Sequence, residues 1–145
     1  MRHPAAQRTP RDRGVAAVEF ALLLPMLLLL IFGIIDFGRA LNAQITLTQA
    51  ARTGARVDAV DNSTGVPNSS ATVTSVTQGA ATGLSGVTVV VTTCAANAGP
   101  AANATVKASY KFTFVTPVAA IASLFGSSLG SSLTLSATGV MPCET

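Results

Sequence analysis

A chain of 145 residues leaves room for one modest domain beside a membrane helix, and not for two. Only 10% of its residues are charged and 49% are hydrophobic, but beyond residue 60 the hydrophobic share is mostly small Ala and Val among Ser and Thr. The formal charge of +3 is no nucleic-acid signature: four arginines against one aspartate before Gly14 supply all of it, and the five cations and five carboxylates that follow cancel.

Residues 1–13, MRHPAAQRTPRDR, are polar, hold two prolines and show no apolar period, which predicts a disordered basic leader. His3 has no His or Cys beside it and is not a metal ligand. From Val15 to Ile35 run 21 residues in which Glu19 is the only charge. An unbroken helix of that length covers about 32 Å, close to the ~30 Å hydrocarbon layer of a bilayer. Arginines flanking such a helix stay on the cytoplasmic side, so the leader is expected inside and the C-terminal part outside.

A charge at the centre of a membrane helix is penalised by roughly 3 kcal/mol, so Glu19 reads as a residue with a partner, with a carboxylate merely solvated at headgroup depth as the alternative. Val15 and Glu19 are four apart and share a helix face. Pro25 removes a backbone donor, frees the carbonyl of Ala21 and favours a kink. Gly33 and Gly38, five apart, miss the GxxxG spacing and predict no contact.

The segment GVAAVEF, with its Arg-rich leader and apolar run, resembles a type IV prepilin processing site. Its continuation, VEFALLLPMLLLLIFGIIDFGRALNAQ and then QAARTGAR, is similar to TadE-like proteins, minor pseudopilins of the tight adherence pilus apparatus. The resemblance covers residues 14 to about 60. It implies cleavage between Gly14 and Val15 by a prepilin peptidase, methylation of the new amine, and an assembly role for Glu19 and Phe20. Partners would be the membrane, that peptidase, other pilins and pilus assembly proteins. Location would be the cytoplasmic membrane, single-pass, or the pilus at the cell surface. The amine freed on Val15 sits about one turn from the Glu19 carboxylate, in the same chain or a neighbour; low dielectric strengthens such a pair and desolvation consumes much of the gain. In TadE-like proteins an acidic residue commonly occupies the position of Thr53, so Arg52 and Arg56 lack a local mate here. Their default reading is a solvated basic face, and as candidate subunit contacts they come second.

Asp36 and Arg39 end the apolar run and predict a solvated surface pair of little energetic weight. Beyond them Ile34, Phe37, Leu41, Ile45, Thr48, Ala51 and Ala55 keep a helical period to about Ala59. That predicts a rod of roughly 68 Å whose outer half offers this stripe to a small domain. Residues 61–69 are turn formers and predict a linker. The next stretch, 70–83, fits either strand composition or a helical face, and the layout of TadE-like domains favours a short helix. Val87–Thr93 is a clear strand, and Thr105–Thr116 alternates Val106, Ala108, Tyr110, Phe112 and Phe114 against Lys107, Ser109, Lys111 and Thr113. A short helix over Pro117–Phe125, a Gly/Ser loop over 127–132 and a last strand over Leu133–Met141 complete the reading.

The expected fold is α+β: a long N-terminal helix, transmembrane half plus exterior half, then a small antiparallel sheet domain of about three strands. Its parts are a cleaved leader (1–14), a transmembrane helix (15–36), its exterior continuation (37–60), a linker (61–69) and the exterior domain (70–145). Cys94 and Cys143 are the only cysteines and each lies just past a predicted strand. In a compartment where disulfides persist they are read as a bond contributing about 4 kcal/mol, with two unpaired thiols as the alternative.

Past residue 61 the ionisable side chains besides the cysteines are Lys107, Tyr110, Lys111 and Glu144. With no His, no Asp and no second carboxylate, acid–base chemistry has no pair to use, and the serines have no base beside them. The expectation is therefore no enzyme, cofactor, metal, small-molecule substrate or nucleic acid. Two other readings stand beside the pilin-like subunit: an unprocessed membrane-anchored assembly or surface-binding protein, and an exported domain whose apolar run is a signal sequence cut near Leu41-Asn42-Ala43.

Overall fold

A computed structural model describes residues 10–61, 69–95, 99–115 and 132–144. Helix α1 spans Pro10–Asp61, α2 spans Ser70–Ala80, and three strands follow: β1 at Thr88–Thr92, β2 at Asn103–Thr113 and β3 at Ser132–Pro142. The strands form one antiparallel sheet in the order β1-β2-β3. The expected α+β architecture is the one observed. The predicted Pro117–Phe125 helix, the Gly/Ser loop up to residue 131, residues 62–68 of the linker and residues 1–9 of the leader lie outside the described residues.

Helix α1 begins at Pro10, so the last residues read as disordered leader are helical. Proline at a first helical position loses no intrahelical bond and brings a helical φ. Pro25 lies inside α1 without ending it. Helix α2 resolves the ambiguous stretch in favour of a helix, opened by Ser69, whose hydroxyl accepts from the Thr72 N–H at 3.2 Å. Threonines within both helices return their hydroxyls to the carbonyl four residues back, as Thr77 does to Val73 at 2.7 Å, which lets Thr77 be fully buried.

The packing face of α1 follows the predicted stripe only at its outer end, where Ala51 and Ala55 are fully buried; its inner members turn away from the domain. Ile34, Phe37, Leu41 and Ile45 are 66%, 71%, 63% and 58% exposed. The sheet and α2 rest instead on Ala43, Leu47, Ala50, Ala51, Gly54, Ala55 and Ala59. At 100° per residue this face lies about a third of a turn round the helix from Leu41 and Ile45. Size decides between the two faces: small residues let backbones approach closely. A Cβ on Gly139 of β3 would strike the carbonyl oxygen of Ala51, and one on Gly54 would strike the hydroxyl of Thr77 in α2. Gln44 reinforces the contact by donating to the Ser136 carbonyl of β3 at 3.0 Å.

Strand β2 descends α1 from its outer end toward its apolar half. Ala104 packs with Ala59, Val106 with Ala55, and Ala108 with Leu47, Ala50 and Ala51, while Phe112 lies under Arg39. The buried positions of β2 alternate as predicted: Ala104, Val106, Ala108 and Phe112 point inward, Lys107, Lys111 and Thr113 outward. At the outer end Cys94, just past β1, is bonded to Cys143, just past β3, with 5.9 Å between their Cα atoms. Antiparallel order puts the ends of β1 and β3 on either side of the start of β2, so the bond clasps the two outer strands together.

Candidate functional site

Over Gly14–Val60, α1 is long and apolar enough to cross a membrane, and its most apolar 18-residue window is not buried against any other part of the protein. Val15 and Phe20 are 60% and 64% exposed, and Gly14 and Glu19 are exposed as well. Gly14, Val15, Glu19 and Phe20 thus lie within one continuous helix, with Val15 and Glu19 on one face.

On the side away from the sheet, exposed apolar groups continue past the end of the apolar run. Met26, Leu29, Leu30, Ile34, Phe37 and Leu41 border a shallow groove in which Gly33 and Gly38 leave open space. Ile45, Thr48, Gln49 and Arg52 line a second depression further out. The sequence pattern found this row of residues but assigned it to the wrong partner. The two glycines do contribute to a surface feature, although their spacing is not that of a dimerisation motif.

Arg52 and Arg56 are both exposed, but they do not form one site. Arg52 borders the depression with Ile45 and Gln49, whereas Arg56 borders another with Val60, Met141, Pro142 and Glu144. The small residues of the same AARTGAR segment have the opposite fate: Ala50, Ala51 and Ala55 are fully buried.

Among the described residues two carboxylates are buried, and sequence reading assigned neither of them that place. Asp36 is 2% exposed rather than solvated; it accepts from Arg39 at 3.3 Å and from the backbone N–H of Val115 at 3.4 Å. The expected Asp36–Arg39 pair exists, with the carboxylate as a tether between α1 and the end of β2. Asp58 is 1% exposed and accepts the N–H of Cys94 at 2.9 Å, fixing α1 to the disulfide. An aspartate four residues after Gly54 and three after Ala55 falls on the packing face, a signal available once that face is known. Among the described residues no three of His, Cys, Asp or Glu come together as metal ligands would.

Among the described residues one exposed apolar helix carries a small sheet domain at one end, an arrangement that fits a single-pass membrane anchor. The family model that matches is that of the TadE-like protein, over residues 14–56. Residues 14–56 of the chain are thus similar to TadE-like proteins. No curated protein and no solved structure matches the chain.

Proposed function

We propose that this chain is a structural minor pilin or pseudopilin of a Tad-type pilus. It is inserted by α1 with the basic leader inside and the sheet domain outside the cytoplasm. A prepilin peptidase cuts between Gly14 and Val15, and the amine so formed pairs with Glu19 of the same or a neighbouring subunit, with Phe20 beside it. The processed helix then packs with other pilins or with the assembly apparatus and takes part in pilus assembly or adhesion.

The observation that carries this reading is the unshared apolar ridge of α1. Ile34, Phe37, Leu41 and Ile45 serve neither the sheet nor α2, and Ile45 stands about 15 Å beyond Ile35, further than the lipid interface reaches. The part of it beyond the interface, Leu41 and Ile45, suits the helix of another subunit, with Arg52 at its outer end. Gly14 within the helix fits a cleavage site too, because glycine is the helix residue most easily unwound apart from proline.

The signal-sequence alternative fits the packing poorly. Cleavage after Ala43 would cut a continuous helix at a buried residue and separate Asp36 and Arg39 from the domain they hold. Sequencing the mature N-terminus decides the matter: Val15 is expected, whereas Met1 or Arg2 would support an unprocessed anchor and Gln44 a cleaved signal.

A further inference from the structure

The end of the sheet domain nearest the apolar run lies level with the point where α1 leaves the bilayer. Asp36 is the first residue past that run, and its hydrogen bond to the Val115 N–H sets the end of β2 at the same height. Leu133 is paired with Phe112 at the start of β3, so it belongs to this end as well. Three apolar groups are open here: Phe37 at 71%, Val115 at 74% and Leu133 at 47% exposure. Arg39, its side chain 46% exposed, lies with its guanidinium 5.3 Å from the Phe112 ring centroid.

These groups share a height rather than a side. At 100° per residue, Phe37 and Arg39 lie about 160° apart around the α1 axis, with Asp36 and the strand ends between them. A protein docking along the helix would cover one side over many heights. A surface perpendicular to the helix meets one height over many directions. From Ile35 to Arg39 the helix rises about 6 Å, within the headgroup layer, which is roughly 5–7 Å deep on each side of the hydrocarbon. Aromatic and aliphatic groups with a neighbouring guanidinium are the chemistry that settles there.

We infer that the lower rim of the sheet domain, formed by Phe37, Arg39, Val115 and Leu133, is a lipid-docking surface seated in the interface of the outer leaflet. Asp36 is its positioning residue, holding the end of β2 down against the helix exit, and Arg39 faces the lipid phosphates. The inference rests on the membrane-anchored reading of α1, and it makes the domain itself a membrane-contacting body.

The chain contains no tryptophan, so a single Trp is a clean reporter. Full-length protein carrying Val115→Trp, Leu28→Trp or Val90→Trp is reconstituted into phosphatidylglycerol/phosphatidylcholine vesicles whose chains are brominated near the headgroup or near the bilayer centre. Val90 pairs with Lys107, so it stands about 26 Å further up the sheet than Val115 and serves as the water-exposed control. Expected are quenching of Leu28→Trp by deep bromine, a blue shift and quenching of Val115→Trp by shallow bromine, and neither for Val90→Trp. Adding Asp36→Ala should abolish the quenching at Val115→Trp while leaving that at Leu28→Trp, and Leu133→Trp replaces Val115→Trp should that variant fail to fold. Quenching at Leu28→Trp without quenching at the rim overturns the inference and leaves the anchor standing; a blue shift there without quenching assigns the rim to a protein partner and overturns it equally. Quenching at Val90→Trp equal to that at Val115→Trp would also overturn it, as adsorption without a defined surface. No quenching at any site overturns the anchor together with the rim.

Discussion

At Gly139 the missing side chain is a packing requirement, since the carbonyl oxygen of Ala51 occupies the space a methyl group would need. Gly139→Ala must push β3 off α1, and an overpacking cost of about 1–3 kcal/mol is expected as a lowered midpoint in thermal unfolding of the detergent-solubilised protein. Glu19 is the residue at the other extreme, exposed and outside the packed part of the chain. Glu19→Ala is expected to leave cleavage after Gly14 intact but to reduce the amount of protein recovered in sheared pili. Incorporation at the wild-type level would remove the pairing of Glu19 with a neighbouring amine. Asp58, tied to the Cys94 N–H, shows how a buried carboxylate reads as ordinary surface charge until its neighbours are known.

The long helix is one element with two faces put to different uses. Leu47, fully buried among Ala50, Ala51, Val87 and Ala108, belongs to the fold. Truncating it to alanine should cost about 2–5 kcal/mol of stability. Leu41 and Ile45 belong to the outer ridge. Replacing both by serine should change unfolding by no more than about 0.5 kcal/mol per site while impairing pilus assembly, measured by electron microscopy and pulldown of co-assembled subunits. Unimpaired assembly would assign the ridge no subunit contact. The contrast separates stability from assembly on a single helix.

Across the whole molecule the sheet domain is fastened to α1 at both ends: Asp36 to Val115 near the apolar half, Asp58 to Cys94 at the outer end, where the disulfide joins β1 to β3. The bonded cysteines are 49 residues apart, a loop whose closure contributes about 4 kcal/mol in the chain-entropy model. Cys94→Ser with Cys143→Ser is expected to lower the urea midpoint accordingly and to open the outer end to limited proteolysis first, with the membrane helix unaffected. An unchanged midpoint would mean that Asp58 and the Ala-rich packing suffice to hold that end.

The membrane-length apolar run, the net charge confined to the leader, the alternation of β2 and the placing of both cysteines after strands are all local patterns, and so they were legible in the sequence. Even the helical row from Ile34 to Ile45 was correctly seen as a row. Which side of α1 the domain would take was not legible, because periodicity registers hydrophobicity, and here the deciding quantity was the space between backbones, met by Ala50, Ala51, Gly54, Ala55 and Gly139. The burial of Asp36 and Asp58 likewise depended on N–H donors from residues 79 and 36 positions away. Composition and spacing fix what each segment is able to form; only the packed chain brings distant donors and small surfaces together and thereby leaves one apolar face of the helix free.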